Sequence, residues 1–324
     1  MSRLNILKKN ILLKNRFKGH RCFILGCGPS INNQDLVLIA DDISIAINNF
    51  YFHKDIQRIN PNYWICADPK YFNTHQDEYL PIISAIEERE VETNFFFPIV
   101  AYQNIKIKSQ YFCTINYFNF DYSNTKVDNI DFSCSIPPYS QNGICIAIML
   151  AFYLGCNPIY LLGCDHTWWS WHKEEYAGKK MPHFYKLTDS TSKNFSYNIL
   201  KSTILVQKYQ YFQLKKYAQN RGYEIINATS GGYLEIFKRI AYEKLFSTDH
   251  KNNKTFQLLK KTENYAHDIA QAAIQLINSG NFLAALVLVE EAISTNINSK
   301  YAVKGLEKVR QTCYYHLQLS NYRF

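Results

Sequence analysis

Short, almost wholly apolar runs recur along this chain, and each stops on or just before a glycine, an asparagine or an aspartate. Residues 22–26 read Cys-Phe-Ile-Leu-Gly, 43–47 Ile-Ser-Ile-Ala-Ile, 63–67 Tyr-Trp-Ile-Cys-Ala and 158–162 Pro-Ile-Tyr-Leu-Leu. A strand with one wet face alternates apolar and polar residues, whereas a continuous apolar run is covered on both faces, as parallel strands are. Residues 92–100, 111–116 and 224–227 are further strand candidates. Between them, 143–154 reads as a buried helix closed by Gly155 with Pro158 beyond, and 198–220 as a long helix closed by Arg221-Gly222. Strands alternating with helices specify an α/β fold with a doubly wound, mostly parallel sheet.

The expected fold is therefore Rossmann-like, and ligands of such sheets bind outside the carboxyl ends of the strands. Polar residues gather at those ends: Ser30, Asn48, Asp68, Asp165 and Thr229. The turn Gly26-Cys27-Gly28-Pro29-Ser30 lets backbone approach a phosphate, with N–H donors at the helix start that follows. It is neither a Walker loop nor a G-x-G-x-x-G fingerprint, and a ligand-free strand–helix turn has the same composition. The Asn48-Asn49 amides suit a base or ribose, and equally suit a turn. Asp68 before Pro69 serves a ribose, a magnesium ion or a helix cap. Ser140-Gln141-Asn142-Gly143 precedes the buried helix, where hydroxyl and amides cap it or bind phosphate.

Gly163-Cys164-Asp165-His166-Thr167-Trp168-Trp169 places an ionisable pair at a strand end beside two large rings. Asp165 and His166 are candidates for acid–base chemistry, with the rings walling a sugar or base. From Trp171 to Asn194 the chain is polar, aromatic and basic without periodicity, as in a lid or a solvated loop. His183 within it is a second candidate base. No H-x-x-x-H, H-E-x-x-H or C-x-x-C spacing occurs, so no metal site is expected.

A net charge of +9 raises the question of nucleic acid, but the charge is spread along the chain and no nucleic-acid module accompanies it. One concentration stands out, Arg3, Lys8, Lys9, Lys14, Arg16, Lys18 and Arg21, interleaved with Leu4, Ile6, Leu7, Ile11, Leu12 and Leu13. The mixture suits a basic helix on an anionic membrane face, or a solvated helix packed on the domain. The nine cysteines sit singly, several in apolar runs, which fits a reducing compartment. The basic start lacks the apolar segment and cleavage site of a signal peptide, and Ile144–Leu154 is too short to span a bilayer. The 25 tyrosines and 21 phenylalanines line a groove or reflect codon bias. Three parts are expected: a basic segment 1–20, a nucleotide-binding catalytic domain 21–246 with a lid near 167–197, and a C-terminal helical segment 247–324. In the last, 265–279 and 282–295 resemble one tetratricopeptide-like pair, with Ala284, Ala285 and Ala292 permitting close packing.

The ordered motifs F-I-L-G-C-G-P-S, A-I-N-N, C-A-D-P, N-G-I-C-I-A-I-M-L-A-F-Y-L-G, I-Y-L-L-G-C-D-H and N-A-T-S-G-G-Y-L-E-I-F-K-R resemble the 6-hydroxymethylpterin pyrophosphokinase MptE-like family over residues 20–246. That family includes surface-polysaccharide and flagellin-glycosylation proteins. A looser resemblance links the frame to bacterial lipooligosaccharide sialyltransferases. It implies nucleotide contacts from Gly28, Pro29, Ser30, Asn48 or Asn49, Ser140, Asn142, Gly143, Gly163 and Asp165, and a catalytic histidine in the lid, matched by His183. The resemblance implies a glycosyltransferase of surface glycans with a nucleotide sugar as substrate, CMP-linked to a sialic-like acid, and no cofactor. Its partners would be that donor and a glycan or glycolipid acceptor, at the cytoplasmic side of the inner membrane. The alternatives are a pterin diphosphokinase using ATP, with Mg²⁺ on Asp68 and Asp165, and a non-catalytic scaffold.

Overall fold

A computed structural model describes residues 3–68, 93–103, 113–123, 127–139, 142–171, 182–185, 197–246 and 306–313, with isolated positions between 270 and 289. Its centre is one sheet of eight strands: β1 Cys22–Leu25, β2 Ile43–Ile47, β3 Tyr63–Ile65, β4 Thr93–Pro98, β5 Cys113–Phe118, β6 Ile159–Leu162, β7 Ile225–Asn227 and β8 Lys238–Arg239. They lie in the order β5-β4-β3-β2-β1-β6-β7-β8, and every neighbouring pair is parallel. This is the doubly wound, Rossmann-like sheet that the apolar runs predict. β1, β2 and β6 are buried at every position, because the sheet is covered on both faces. The winding reverses between β1 and β6, where Leu25 sits beside Leu162 on one side and Ala46 on the other.

Helices among the described residues include α1 Arg3–Lys8, α2 Ile56–Ile59, α3 Gly143–Leu154 and α4 Tyr197–Arg221, with short 3-10 turns between strands. Every residue of α3 from Ile144 to Leu154 is buried. A helix apolar all round must be covered all round, and α3 packs on β1, β2 and β3 as well as on α4. Asn142 caps it through Oδ1, which accepts the Ile144 N–H at 3.0 Å. Gly155 closes it in the left-handed region at φ 80°, which a side chain would strain.

Several boundaries differ from the sequence expectation. The strands expected at 22–26 and 63–67 stop one and two residues early, since Gly26 and the Cys66-Ala67 pair already belong to the turns. The expected strand at 92–100 spans Thr93–Pro98, and that at 111–116 runs on to Phe118. The two-residue β8 carries Lys238 and Arg239 and has no apolar run to betray it. The glycine turn leads into a five-residue 3-10 helix, Pro29–Asn33, rather than an α-helix.

The chain divides into two compact units. Phe17–Asp131 with Ser135–Phe256 holds the sheet. Met1–Arg16, Phe132–Cys134 and Gln257–Phe324 form the other. In the second unit, Ile6, Leu7 and Leu13 are buried, and Asn10 donates through Nδ2 to the Phe132 carbonyl at 2.8 Å. Three of the segment's apolar side chains are therefore covered by protein, while Ile11 and Leu12 are partly exposed. Residues 306–313 are helical, and Ala273, Ala285, Val289, Leu306, Val309 and Cys313 are buried. Ala284 and Ala292, and the extents of the tetratricopeptide-like pair, lie outside the described residues.

Candidate functional site at the carboxyl rim of the sheet

At the reversal of winding, the turns after β1 and β6 close on each other. The Gly28 N–H donates to the Gly163 carbonyl at 2.9 Å. A Cβ on Gly26 would lie 2.5 Å from the Gly163 oxygen, so only glycine permits the approach. Asp165 is clasped from the β1 side: its Oδ1 accepts the Ser30 N–H at 3.1 Å and its Oδ2 the Ser30 hydroxyl at 2.8 Å. Burial raises the Asp165 carboxyl above the usual carboxylate range, against the lowering effect of the Ser30 donors.

This alters two expectations. The Ser30 donors foreseen for a phosphate are spent on Asp165, since a buried carboxylate draws the nearest N–H and O–H groups. Asp165, foreseen as an acid, a base or a magnesium ligand, acts in this structure as the anchor of the turn. Among the described residues no group of three or more His, Cys, Asp and Glu stands close enough to hold a metal ion.

The loop after β7 tightens the same corner. Tyr233 donates its N–H to the Asp165 carbonyl at 2.7 Å, Thr229 Oγ1 accepts the Cys164 N–H at 3.0 Å, and Arg239 donates to the carbonyls of Thr229, Gly231 and Gly232. Thr229 thus braces the rim.

The β2 side is differently built. Asn48, at φ 45°, gives its carbonyl to Trp64 Nε1 at 2.9 Å, while its side chain lies beside the start of α3. Its Oδ1 is buried and has no hydrogen-bonding partner among the described residues, and neither has the buried Thr167 Oγ1. Gln34 Oε1, Ser44 Oγ, His53 Nε2 and Gln210 Oε1 are buried and unpaired in the same way, so the feature is shared by other parts of the fold. Residues 182–185 dock over this region: the Phe184 N–H donates to the Cys27 carbonyl at 3.1 Å, and the Phe184 ring packs edge-on against Phe50 and His53. The Tyr185 hydroxyl is hydrogen-bonded to the Asn49 side chain, Asp68 is near enough to act on it electrostatically, and the ring stacks on His183 at 5.0 Å. His183, Asn49 and Asp68 are therefore drawn towards one place. Ser140, Gln141 and the rest of the lid from 172 to 196, outside 182–185, lie outside the described residues.

Sequence reasoning missed Tyr211 of α4, which joins the two halves of the rim. Asn142 Nδ2 donates to its hydroxyl oxygen at 2.7 Å, and that hydroxyl lies 2.8 Å from His166 Nε2. Asn142 Oδ1 is already the cap acceptor, so its amino group is the donor to Tyr211. Burial holds the Tyr211 proton on, and its hydroxyl and His166 Nε2 share one hydrogen bond whose donor is set by the imidazole tautomer. The His166 ring stacks on Trp169 at 4.3 Å, and Trp169 Nε1 donates to Gln207 of α4 at 3.3 Å. Although part of the residue reaches the surface, enclosure of the ring pushes its pKa down to about 3. Enclosure thus favours the neutral form of the His166 ring. Tyr211 and Gln207 were findable: they share the inward face of α4 with Leu200, Ile204, Leu214 and Ala218 at helical spacing. Tyr211→Phe leaves the Asn142 amide and His166 Nε2 unpaired, and is expected to destabilise the protein by about 2–3 kcal/mol in a denaturant melt.

The sheet, its reversal point and this rim together define a Rossmann-like α/β protein whose polar residues converge at the carboxyl ends of β1, β2, β3 and β6. The chain matches no protein-family profile and no curated protein.

Proposed function

We propose that this protein is a glycosyltransferase that takes a nucleotide sugar, CMP-linked to a sialic-like acid, as its donor. What supports the reading is the gathering of polar residues at the carboxyl rim where ligands of such sheets bind, with the docked segment 182–185 beside Asn49 and the buried acceptors Asn48 Oδ1 and Thr167 Oγ1 at two strand ends. Asn48 Oδ1 suits the exocyclic amine of a base or a ribose hydroxyl, and Thr167 a hydroxyl of the sugar. The start of α3 beside Asn48 contributes the positive end of a twelve-residue helix towards the phosphate. Phe184 and Tyr185 supply flat walls. His183, on the docked segment, is the base that takes the proton of the acceptor hydroxyl, while His166 keeps Asn142 and α3 in place through Tyr211.

The resemblance to surface-glycan proteins points the same way. The pterin diphosphokinase reading asks Asp165 to hold Mg²⁺ while both its oxygens already accept from Ser30, which weakens it.

Calorimetric titration with CMP, CDP, UDP and ATP tests the class. Binding of CMP ahead of ATP, insensitive to EDTA, supports the transferase; ATP binding that requires Mg²⁺ supports the kinase; no binding of any nucleotide supports a scaffold. With a donor in hand, His183→Ala is expected to lower turnover by about 10²–10⁴-fold while the CMP Kd stays unchanged.

A further inference from the structure

α4 has a second apolar face that its packing does not use. Its inward side carries Leu200, Ile204, Tyr211, Leu214 and Ala218, all buried. A helix of this kind ordinarily turns polar side chains to water. Here Ile199, Leu205, Val206, Tyr209 and Phe212 are 52%, 69%, 38%, 50% and 57% exposed. At 100° per residue these five fall on one arc opposite the buried stripe, over the first four turns of the helix. Ser202, Gln213 and Lys216 share the arc; single exposed apolar residues are ordinary, but five large ones gathered on one exposed arc mark a contact surface.

The charges say what kind of contact. None of the 25 residues of α4 is acidic. Lys201, Lys208 and Lys215 recur at seven-residue spacing and so form a row along one edge of the arc, and Lys216 stands within it. The ammonium groups of the row lie on the protein, Lys201 Nζ donating to the Trp171 carbonyl, Lys208 Nζ over the Trp169 ring and Lys215 Nζ donating to the Ile236 carbonyl, and no acidic side chain of the helix offsets their charge. Two copies of such a face would oppose like charges. An anionic interface would complement the helix's positive charge, with the apolar side chains entering the acyl boundary and Lys216, within the arc, meeting lipid phosphates. No helix among the described residues is long and apolar enough to cross a bilayer, so the contact is one that lies on the surface.

We propose that the outer face of α4 is a peripheral docking surface for anionic phospholipid membranes. This surface is distinct from the N-terminal basic segment, in which Ile6, Leu7 and Leu13 are buried, and it does not depend on the transferase reading. The same helix holds Gln207 and Tyr211 against the rim from its inner side, so docking brings the candidate site to within about one helix diameter, roughly 10 Å, of the lipid headgroups.

The test is flotation of the full chain with vesicles of phosphatidylcholine alone and of phosphatidylcholine mixed with phosphatidylglycerol. The expected result is co-flotation with the mixed vesicles only, weakened by salt. Leu205→Glu with Phe212→Glu is expected to lower the partition coefficient about tenfold or more. Both positions are exposed, so circular dichroism and the thermal midpoint should be unchanged. Equal flotation with both vesicle types, or none, overturns the proposal. So does retention of binding by the double variant, or its loss in Lys8→Glu with Lys9→Glu while the α4 double variant still floats. A concentration-dependent dimer in sedimentation that the α4 double variant abolishes would assign the face to a second copy instead, and would equally overturn it.

Discussion

Gly26→Ala is expected to lower the thermal midpoint by about 6–12 °C, the shift that roughly 3 kcal/mol of overpacking produces in a domain of this size. The added Cβ would stand 2.5 Å from the Gly163 oxygen, 2.9 Å from the Gly163 carbonyl carbon and 3.1 Å from the Leu162 oxygen. All three are backbone atoms of β6 and its turn, so no side chain can swing aside, and β1 and β6 must part instead. Gly143→Ala is the control. Its Cβ would meet nothing nearer than 3.7 Å, at Ile47 Cδ1, and it starts a helix that alanine favours. Matched melts of the two variants decide the matter: a Gly26→Ala midpoint within a degree or two of Gly143→Ala would mean that the corner yields, and that its closeness is not a constraint.

The second large effect is one of pH. Burial lowers the His166 pKa from the ordinary 6.5 to about 3, so the folded protein binds this proton less readily than the unfolded chain does. The neutral ring's contribution to stability is therefore complete above about pH 6.5 and is lost as the medium is acidified towards pH 3. At about 1.4 kcal/mol per unit of pH, the loss reaches about 2 kcal/mol by pH 5. Asp165 and Asp42 work in the opposite direction. Burial raises both above their unfolded value, so each favours the folded state more as pH falls. The comparison that isolates the histidine is urea unfolding of wild type and His166→Gln from pH 7 to pH 4. The gap between them should narrow by a few kcal/mol across that range, and parallel curves would show that the imidazole is free to protonate in the folded protein.

How much of this was legible depended on how local the cause was. Strands β1, β2 and β6 and helix α3 can be read directly, because burial on both faces leaves a continuous apolar run with nothing else to explain it. The gathering of Ser30, Asn48, Asp68 and Asp165 at strand ends follows from that alternation. What they do there does not. The Ser30–Asp165 clasp joins positions 135 residues apart, and the text around Gly-Pro-Ser is the same whether its donors meet a phosphate or a carboxylate. Asn142 reads as a cap or a ligand from its place before α3, and the geometry makes it a cap whose amide also reaches Tyr211. The basic N-terminal segment reads as amphipathic, but amphipathicity does not say whether lipid or protein covers the apolar half. β8 escaped because its residues, Lys238 and Arg239, make a strand only by pairing with β7.

Gly26, Gly28, Gly163 and Gly232 leave so little space at the reversal of winding that a methyl group on any of them would strike backbone or the Asp165 side chain. Half of the rim is therefore a fixed abutment, and half is adjustable furniture. Adaptation of this scaffold to a new donor would proceed through the asparagines after β2 and the aromatic segment at 182–185, which meet mainly through side chains. The glycine corner would stay as it is in every descendant that still folds.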